Sequence, residues 1–242
     1  MAGGGRRSGQ ERKEVVFVAD AEVNVAGALK GGVGKTRFAM LAALRLATVE
    51  GEDVHFIDGD SVSQTGNDWF KDYVRDTGKE FPIQVTRHPF DDLDELVADL
   101  RPKHDRIIID VGGGNPSVFA AALTFAKKLI VPIGADPSEI RRLRSTWKAA
   151  QTAAADNEVG GFDAWVLLSR TDHSTSLPGE YRQMLTSGRD ELSGRELPVY
   201  PLLTAEMRKR VAYQRAYKTV PTDFLDVPDV MMEIGMLPEG SA

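Results

Sequence analysis

The chain has 242 residues, with 30 Lys and Arg against 36 Asp and Glu, a formal net charge of −6 and 42% apolar residues. That length can bury the core of one α/β domain or two small ones, and the even apolar patterning favours one. With no cysteine, the chain forms neither disulfides nor thiolate metal or iron–sulfur sites, and its acidic balance leaves nucleic-acid contact to local basic patches.

Residues 1–13 are rich in Gly, Arg and Ser and lack apolar periodicity, which predicts a disordered tail ahead of a single domain over 14–242. No secretory signal and no apolar run long enough to cross a bilayer is visible, so the expectation is a cytoplasmic protein without membrane attachment. Val15–Ala19 reads as an extra edge strand or half of a hairpin. Val23–Leu29 reads as the strand that feeds the most informative stretch, Lys30-Gly31-Gly32-Val33-Gly34-Lys35-Thr36.

Three glycines in that stretch free the backbone to turn several N–H groups toward one point, an anion-binding concavity. Lys35 is placed to reach the β- and γ-phosphates of a nucleotide and the Thr36 hydroxyl to ligate Mg²⁺. Beginning at Thr36-Arg37, the helix aims its positive dipole end at the same anion. Leu29 stands where the G-x-x-x-x-G-K-[ST] pattern has its first glycine. A surface glycine loop with two solvated lysines is the plainer alternative, but it does not account for a strand before and a helix after.

Downstream, β-branched apolar runs alternate with amphipathic stretches, the pattern of βα units in a mostly parallel sheet with helices on both faces. Strands are expected at Val54–Ile57, Ile83–Thr86, Arg106–Asp110, Leu129–Ile133, Trp165–Leu168 and Val199–Tyr200. The intervening helices are Thr36–Val49, Gln64–Asp76, Leu93–Leu100, Pro116–Phe125, Pro137–Asp156, Gly179–Leu192, Ala205–Tyr217 and Phe224–Ile234. Asn115-Pro116 and Asp136-Pro137 each set a capping side chain before a first-turn proline.

Ligands in such sheets sit at the carboxyl ends of the strands. Asp58 and Asp60 follow one apolar strand and point to the same side by alternation. Asp110 ends the buried-type strand Arg106–Asp110, where a carboxylate can hold Mg²⁺ through water. Gly112-Gly113-Gly114 follows at once as a flexible segment, and Gly113 can offer an N–H to a γ-phosphate.

The lysine ahead of the glycines makes Lys30–Thr36 resemble the deviant Walker A box of the ParA/MinD family of dimerising P-loop ATPases. The resemblance implies ATP and Mg²⁺ as ligands and a homodimer in which Lys30 reaches the partner subunit's nucleotide and offsets charge that develops during phosphoryl transfer. It further implies that Asp58 supports the Mg²⁺ shell with Thr36 and Asp110, and that Asp60 orients the attacking water. Ser169 and Arg170 stand where the family supplies an asparagine to the adenine ring, and Pro201 is expected on the other wall of the base pocket. A serine cannot match the amide's paired donor and acceptor.

Met207–Val220 resembles the helix and turn that close many ParA chains. On one helix, Arg208, Arg215 and Lys218 would share a side, with Val211 buried. Arg141 and Arg144 form a second basic cluster. Both are candidates for contacts to the phosphate backbone of DNA, against the alternative of solvated basic faces. The four histidines lack metal-ligand spacing, and Trp69, Phe70 and Tyr73 fall at helical spacing suited to core or dimer packing.

The acidic segment Phe224–Leu237 lacks the basic face of a MinD-like membrane helix, and the residues before Lys30 leave no room for a helix-turn-helix. The chain thus resembles a short ParA, a slow ATPase that binds DNA non-specifically as a dimer, is released by hydrolysis and answers to a ParB-like partner. An ATP-gated scaffold without DNA contact is the alternative. A kinase using the same loop ranks last, since no acceptor pocket is evident.

Overall fold

The computed structural model describes residues 19–190, 194 and 196–241. The expected tail over 1–13, the apolar segment at 15–18 and the end of the helix expected to reach Leu192 lie outside the described residues. The elements are β1 (Glu22–Gly27), α1 (Lys35–Arg45), β2 (Val54–Asp58), α2 (Thr65–Thr77), β3 (Gln84–Arg87), α3 (Leu93–Leu100), β4 (Arg106–Val111), α4 (Pro116–Leu123), β5 (Ala126–Ile133), α5 (Pro137–Ala153), β6 (Asp163–Thr171), α6 (Leu177–Ser187), β7 (Met207–Arg208), α7 (Val211–Arg215) and α8 (Val227–Glu233).

The seven strands form one sheet in the order β3-β2-β4-β1-β5-β6-β7, with every pairing parallel. A parallel sheet needs both faces covered, and strand alternation supplies both. On β4, Ile108 joins Phe38, Phe56, Trp69 and Met231 in the layer under α1, α2 and α8. Its neighbours Ile107 and Ile109 join Val25, Phe119, Leu129 and Leu143 in the opposite layer, under α4 and α5. The same alternation splits Ile130 from Leu129 and Val131 on β5, and Leu167 from Val166 and Leu168 on β6.

Two helix starts follow the expected chemistry. The Asn115 side chain accepts from Ser117 N at 3.0 Å and the Asp136 side chain from Ser138 N at 2.8 Å, each ahead of a proline in the first turn. Trp69 is buried and donates its indole N–H to Thr219 O at 2.9 Å, while Phe70 and Tyr73 pack on Phe81. Trp69 therefore belongs to the core, with Phe70 and Tyr73 packed half-buried against it.

Two expectations fail near the C-terminus. Instead of one helix over Ala205–Tyr217, residues Met207–Arg208 form an edge strand beside Ser169 and Thr171, and only Val211–Arg215 is helical. The cause is long-range: Asp226 accepts from Arg208 N at 3.0 Å and Arg210 Nη2 at 2.6 Å, holding the stretch extended against the sheet. Val211, expected to be buried, is 61% exposed. No strand forms at Val199–Tyr200; the chain bridges to Val166 through Leu202 instead, and the Tyr200 ring packs edge-on against Trp147.

Candidate active site

The glycine loop leaves β1 and turns into α1 through left-handed residues at Gly32 (φ 76°) and Gly34 (φ 93°), conformations that favour glycine. Lys35 opens the helix and is only 4% exposed. Its Nζ reaches back across the loop to Lys30 O at 3.0 Å. Thr36 donates its hydroxyl to Asp110 Oδ2, at the end of the neighbouring strand β4. The parallel pairing of β1 with β4, Ala26 beside Asp110, fixes that encounter.

Asp110 is 1% exposed and its other oxygen, Oδ1, has no hydrogen-bond partner. Burial pushes its carboxyl up to about 7, against the opposing pull of Lys35 and the Thr36 hydroxyl. Asp58 is fully buried at the end of β2. It accepts from Asp60 N at 3.2 Å and Asn67 N at 2.9 Å, so it ties down the loop after β2 and the start of α2. Burial raises its pKa as well, with those backbone N–H groups pulling the other way.

Asp60 accepts from Val62 N at 2.8 Å and from Ser63 N and Oγ, both at 3.0 Å. Its carboxyl group backs directly onto Gly112. A Cβ on Gly112 would stand 2.2 Å from the Asp60 carboxyl carbon, and one on Gly113 would stand 2.4 Å from the Leu29 carbonyl carbon. The two glycines after β4 thus let that loop touch the acidic loop and the phosphate loop at once. The sequence suggested flexibility as their reason, and close packing is a second.

Lys30 lies along its own subunit. Its Nζ is 2.7 Å from Ser138 Oγ and 3.5 Å from Glu139 Oε1 at the start of α5. Glu139 is 5% exposed, takes Gly134 N–H on Oε2 at 2.5 Å and pairs through Oε1 with Arg170 Nη2 at 2.5 Å.

Beside the glycine loop lies a cavity of about 440 Å³ lined by Gly34, Arg37, Arg170, Asp172, Arg208 and Tyr213, among others. Ser169 sits at its floor, 1% exposed, and donates its hydroxyl to Val33 O at 2.6 Å. It therefore braces the loop, its proton committed to a backbone carbonyl. Arg170, in a left-handed conformation (φ 56°), does line the cavity. Pro201 does not: its carbonyl accepts from Val166 N at 2.8 Å along the sheet edge.

Sequence reasoning missed Tyr213 and Asp226. Asp226 Oδ2 takes the Tyr213 hydroxyl at 3.1 Å and Asp226 Oδ1 takes Arg210 Nη2 at 2.6 Å, fixing the cavity wall. Burial pushes the Tyr213 hydroxyl well above its ordinary value. It missed Glu139 too, although a glutamate three residues after the cap Asp136 is a recognisable helix-start signature.

The basic residues do not assemble as expected. Arg208 is on β7 against the cavity, Arg215 is exposed on α7, and Lys218 pairs with Asp72 of α2 at 2.7 Å. The shared helix side for these three is withdrawn, because the helix that would create it does not form. Arg141 and Arg144 are exposed on α5.

No protein-family model and no curated protein sequence matches the chain. Solved structures do. A plasmid partition protein of Borrelia burgdorferi B31, bound to AMPPNP, superposes with a TM-score of 0.64 at 12% identity, over 88% of this chain and 98% of that one. A Cyanothece McdA variant in complex with ATP gives 0.63 at 16% identity, over 90% and 98%. The chain shares the fold of these two proteins. The pNOB8 ParA protein bound to nonspecific DNA shares it too, with a TM-score of 0.55 at 18% identity over 89% and 99%. Such ParA-type structures place the chain among P-loop NTPase folds, with the glycine loop, Asp58 and Asp110 at the carboxyl edge of the sheet as that fold requires. Among the described residues no helix is long and apolar enough to cross a membrane.

Proposed function

We propose that the protein is a ParA-type ATPase switch: ATP with Mg²⁺ joins two copies, the dimer holds DNA without reading its sequence, and hydrolysis lets go. The observation that carries this reading is the meeting of Thr36 and Asp110 beneath a glycine loop flanked by Lys30 and Lys35. Support comes from the shared fold and from the ATP, AMPPNP and DNA seen with proteins of that fold.

The residues suit a Mg²⁺ nucleotide. Thr36 offers a hydroxyl and Asp110 a buried oxygen, Oδ1, that no donor satisfies, a hard oxygen set that Mg²⁺ favours. Bound there, Mg²⁺ would neutralise phosphate charge. Asp58 holds the acidic loop in place beside that pair through Asp60 N and Asn67 N. Lys35 exchanges its contact with Lys30 O for the phosphates, the loop N–H groups bind the same anion, and Arg37 and Arg170 flank the base and sugar in the adjoining cavity. Asp60 orients the attacking water next to Gly112 and Gly113, whose loop registers loss of the γ-phosphate. Lys30 acts across the dimer, and a ParB-like partner accelerates turnover.

The dispersal of Arg208, Arg215 and Lys218 favours a second reading, an ATP-gated scaffold that recruits a protein without touching DNA. DNA retention measured with and without ATP across a salt series separates the two. The switch binds only with ATP and loses affinity steeply with salt; retention indifferent to ATP removes DNA from the account. Within the same assays, Lys35→Ala weakens nucleotide binding and Asp60→Ala holds the dimer in its ATP state.

A further inference from the structure

Lys30, the residue that the proposed function sends to the other subunit, is held in this chain by a built set of contacts. Its Nζ donates to Ser138 Oγ at 2.7 Å and lies 3.5 Å from Glu139 Oε1. Ser138 in turn donates to Asp136 Oδ1 at 2.5 Å, which also caps α5 through Ser138 N. Glu139 is locked from two other directions, by Gly134 N–H and by Arg170.

The backbone is shaped around this cluster. A Cβ at position 134 would stand 2.6 Å from Arg170 Nη2 and 3.1 Å from Glu139 Oε2, so a glycine makes room for the pair. Arg170 takes a left-handed conformation in reaching it, which an arginine adopts at some energetic cost. A charge-bearing residue 5% exposed, fixed by two donors and presenting one oxygen to Lys30, is an organised acceptor and not a surface accident.

We propose that Ser138 and Glu139 are positioning residues that hold Lys30 in cis in the nucleotide-free chain, so that two subunits join only after Lys30 leaves them. This rests on the reading that Lys30 acts across the dimer. The hold competes directly with dimer formation, since one ammonium group cannot occupy both places. Arg170 lines the nucleotide cavity and shares Glu139 with Lys30. Occupancy of the cavity therefore bears on the same carboxylate, which ties release of Lys30 to nucleotide binding.

The first test labels lysine amines in the full nucleotide-free chain with an acylating reagent and follows Lys30 against exposed Lys71 by mass spectrometry. Ser138→Ala and Glu139→Gln are each expected to raise the relative labelling of Lys30 by about two- to five-fold, the range that a partly exposed ion pair commands. Glu139→Gln turns an amide N–H₂ toward either Gly134 N–H or Arg170 and can disturb the fold; Ser138→Ala leaves the buried carboxylate untouched. Equal labelling of Lys30 in wild type and Ser138→Ala overturns the proposal. The second test is the ATP concentration at half-dimerisation by sedimentation, expected to fall by the same factor in Ser138→Ala. No fall in a variant whose Lys30 labels faster overturns the competition. A Lys30→Ala chain that dimerises normally removes the cross-subunit role and leaves the labelling result standing, so the two failures are distinguishable.

Discussion

The buried imidazole pair beneath β2 and β4 predicts a pH-dependent stability whose sign and size follow from the structure. His55 is 5% exposed, with Nδ1 3.2 Å from His104 Nε2 and Nε2 2.9 Å from Thr86 Oγ1. His104 Nδ1 faces Asp53 Oδ2 at 3.1 Å. With both rings neutral, His104 donates to Asp53, His55 donates to His104 and Thr86 donates to His55, so every contact is satisfied. Burial and the neighbouring His104 lower the pKa of His55 from 6.5 to about 4. A folded value below the unfolded one means that the unfolded chain binds the extra proton. The contribution is complete above pH 6.5 and is lost as pH falls toward 4. The gap corresponds to at most about 3 kcal/mol. Asp110, raised by burial, works in the opposite direction, so the informative quantity is a difference between two chains. Urea denaturation of wild type and His55→Gln at pH 8 and pH 4.5 should show wild type losing about 2–3 kcal/mol more than the variant over that interval. Parallel losses in the two chains would refute the reasoning.

Gly112→Ala drives a Cβ into the Asp60 carboxyl group; a drop of about 1–3 kcal/mol in urea stability, together with loss of ATP hydrolysis while nucleotide still binds, is expected. Unchanged hydrolysis would show that Asp60 tolerates displacement. Tyr213→Phe removes the hydroxyl shared with Asp226 and should cost about 1–2 kcal/mol in thermal stability, with weaker nucleotide affinity because the cavity wall loosens. Ser169→Ala releases Val33 O from its brace. Its effect should appear in phosphate affinity, equally for ATP and GTP in a competition titration, since the hydroxyl proton is held by the glycine loop. A selective loss for ATP would instead assign Ser169 the base-reading role.

The parts of the fold that the sequence disclosed are those specified locally. The continuous apolar run Ile107-Ile108-Ile109 marks a strand buried on both faces, and Asn115-Pro116 and Asp136-Pro137 carry their own helix starts. Glycines 31, 32 and 34 with Lys35 and Thr36 stand out because an anion loop requires those residue types adjacent in the chain. Asp58, Asp60 and Asp110 were legible for a related reason: a carboxylate just past an apolar strand in a parallel sheet has one place to be. Residues 205–217 were not legible, because their conformation is set by Asp226, which stands outside the window that helical periodicity samples. Ser169 was read from its strand-end position, whereas its side-chain direction depends on Val33, 136 residues away in sequence. The cis contact of Lys30 with Ser138 and Glu139 spans more than 100 positions and carries no local pattern.

Sedimentation velocity on wild type and Lys30→Ala, each with ATP and Mg²⁺, reads whether Lys30 joins the two subunits. Wild type is expected to pass from monomer to dimer as ATP is added, while Lys30→Ala remains a monomer that still binds a fluorescent ATP analogue. A Lys30→Ala chain that dimerises at the wild-type ATP concentration would contradict the cross-subunit role.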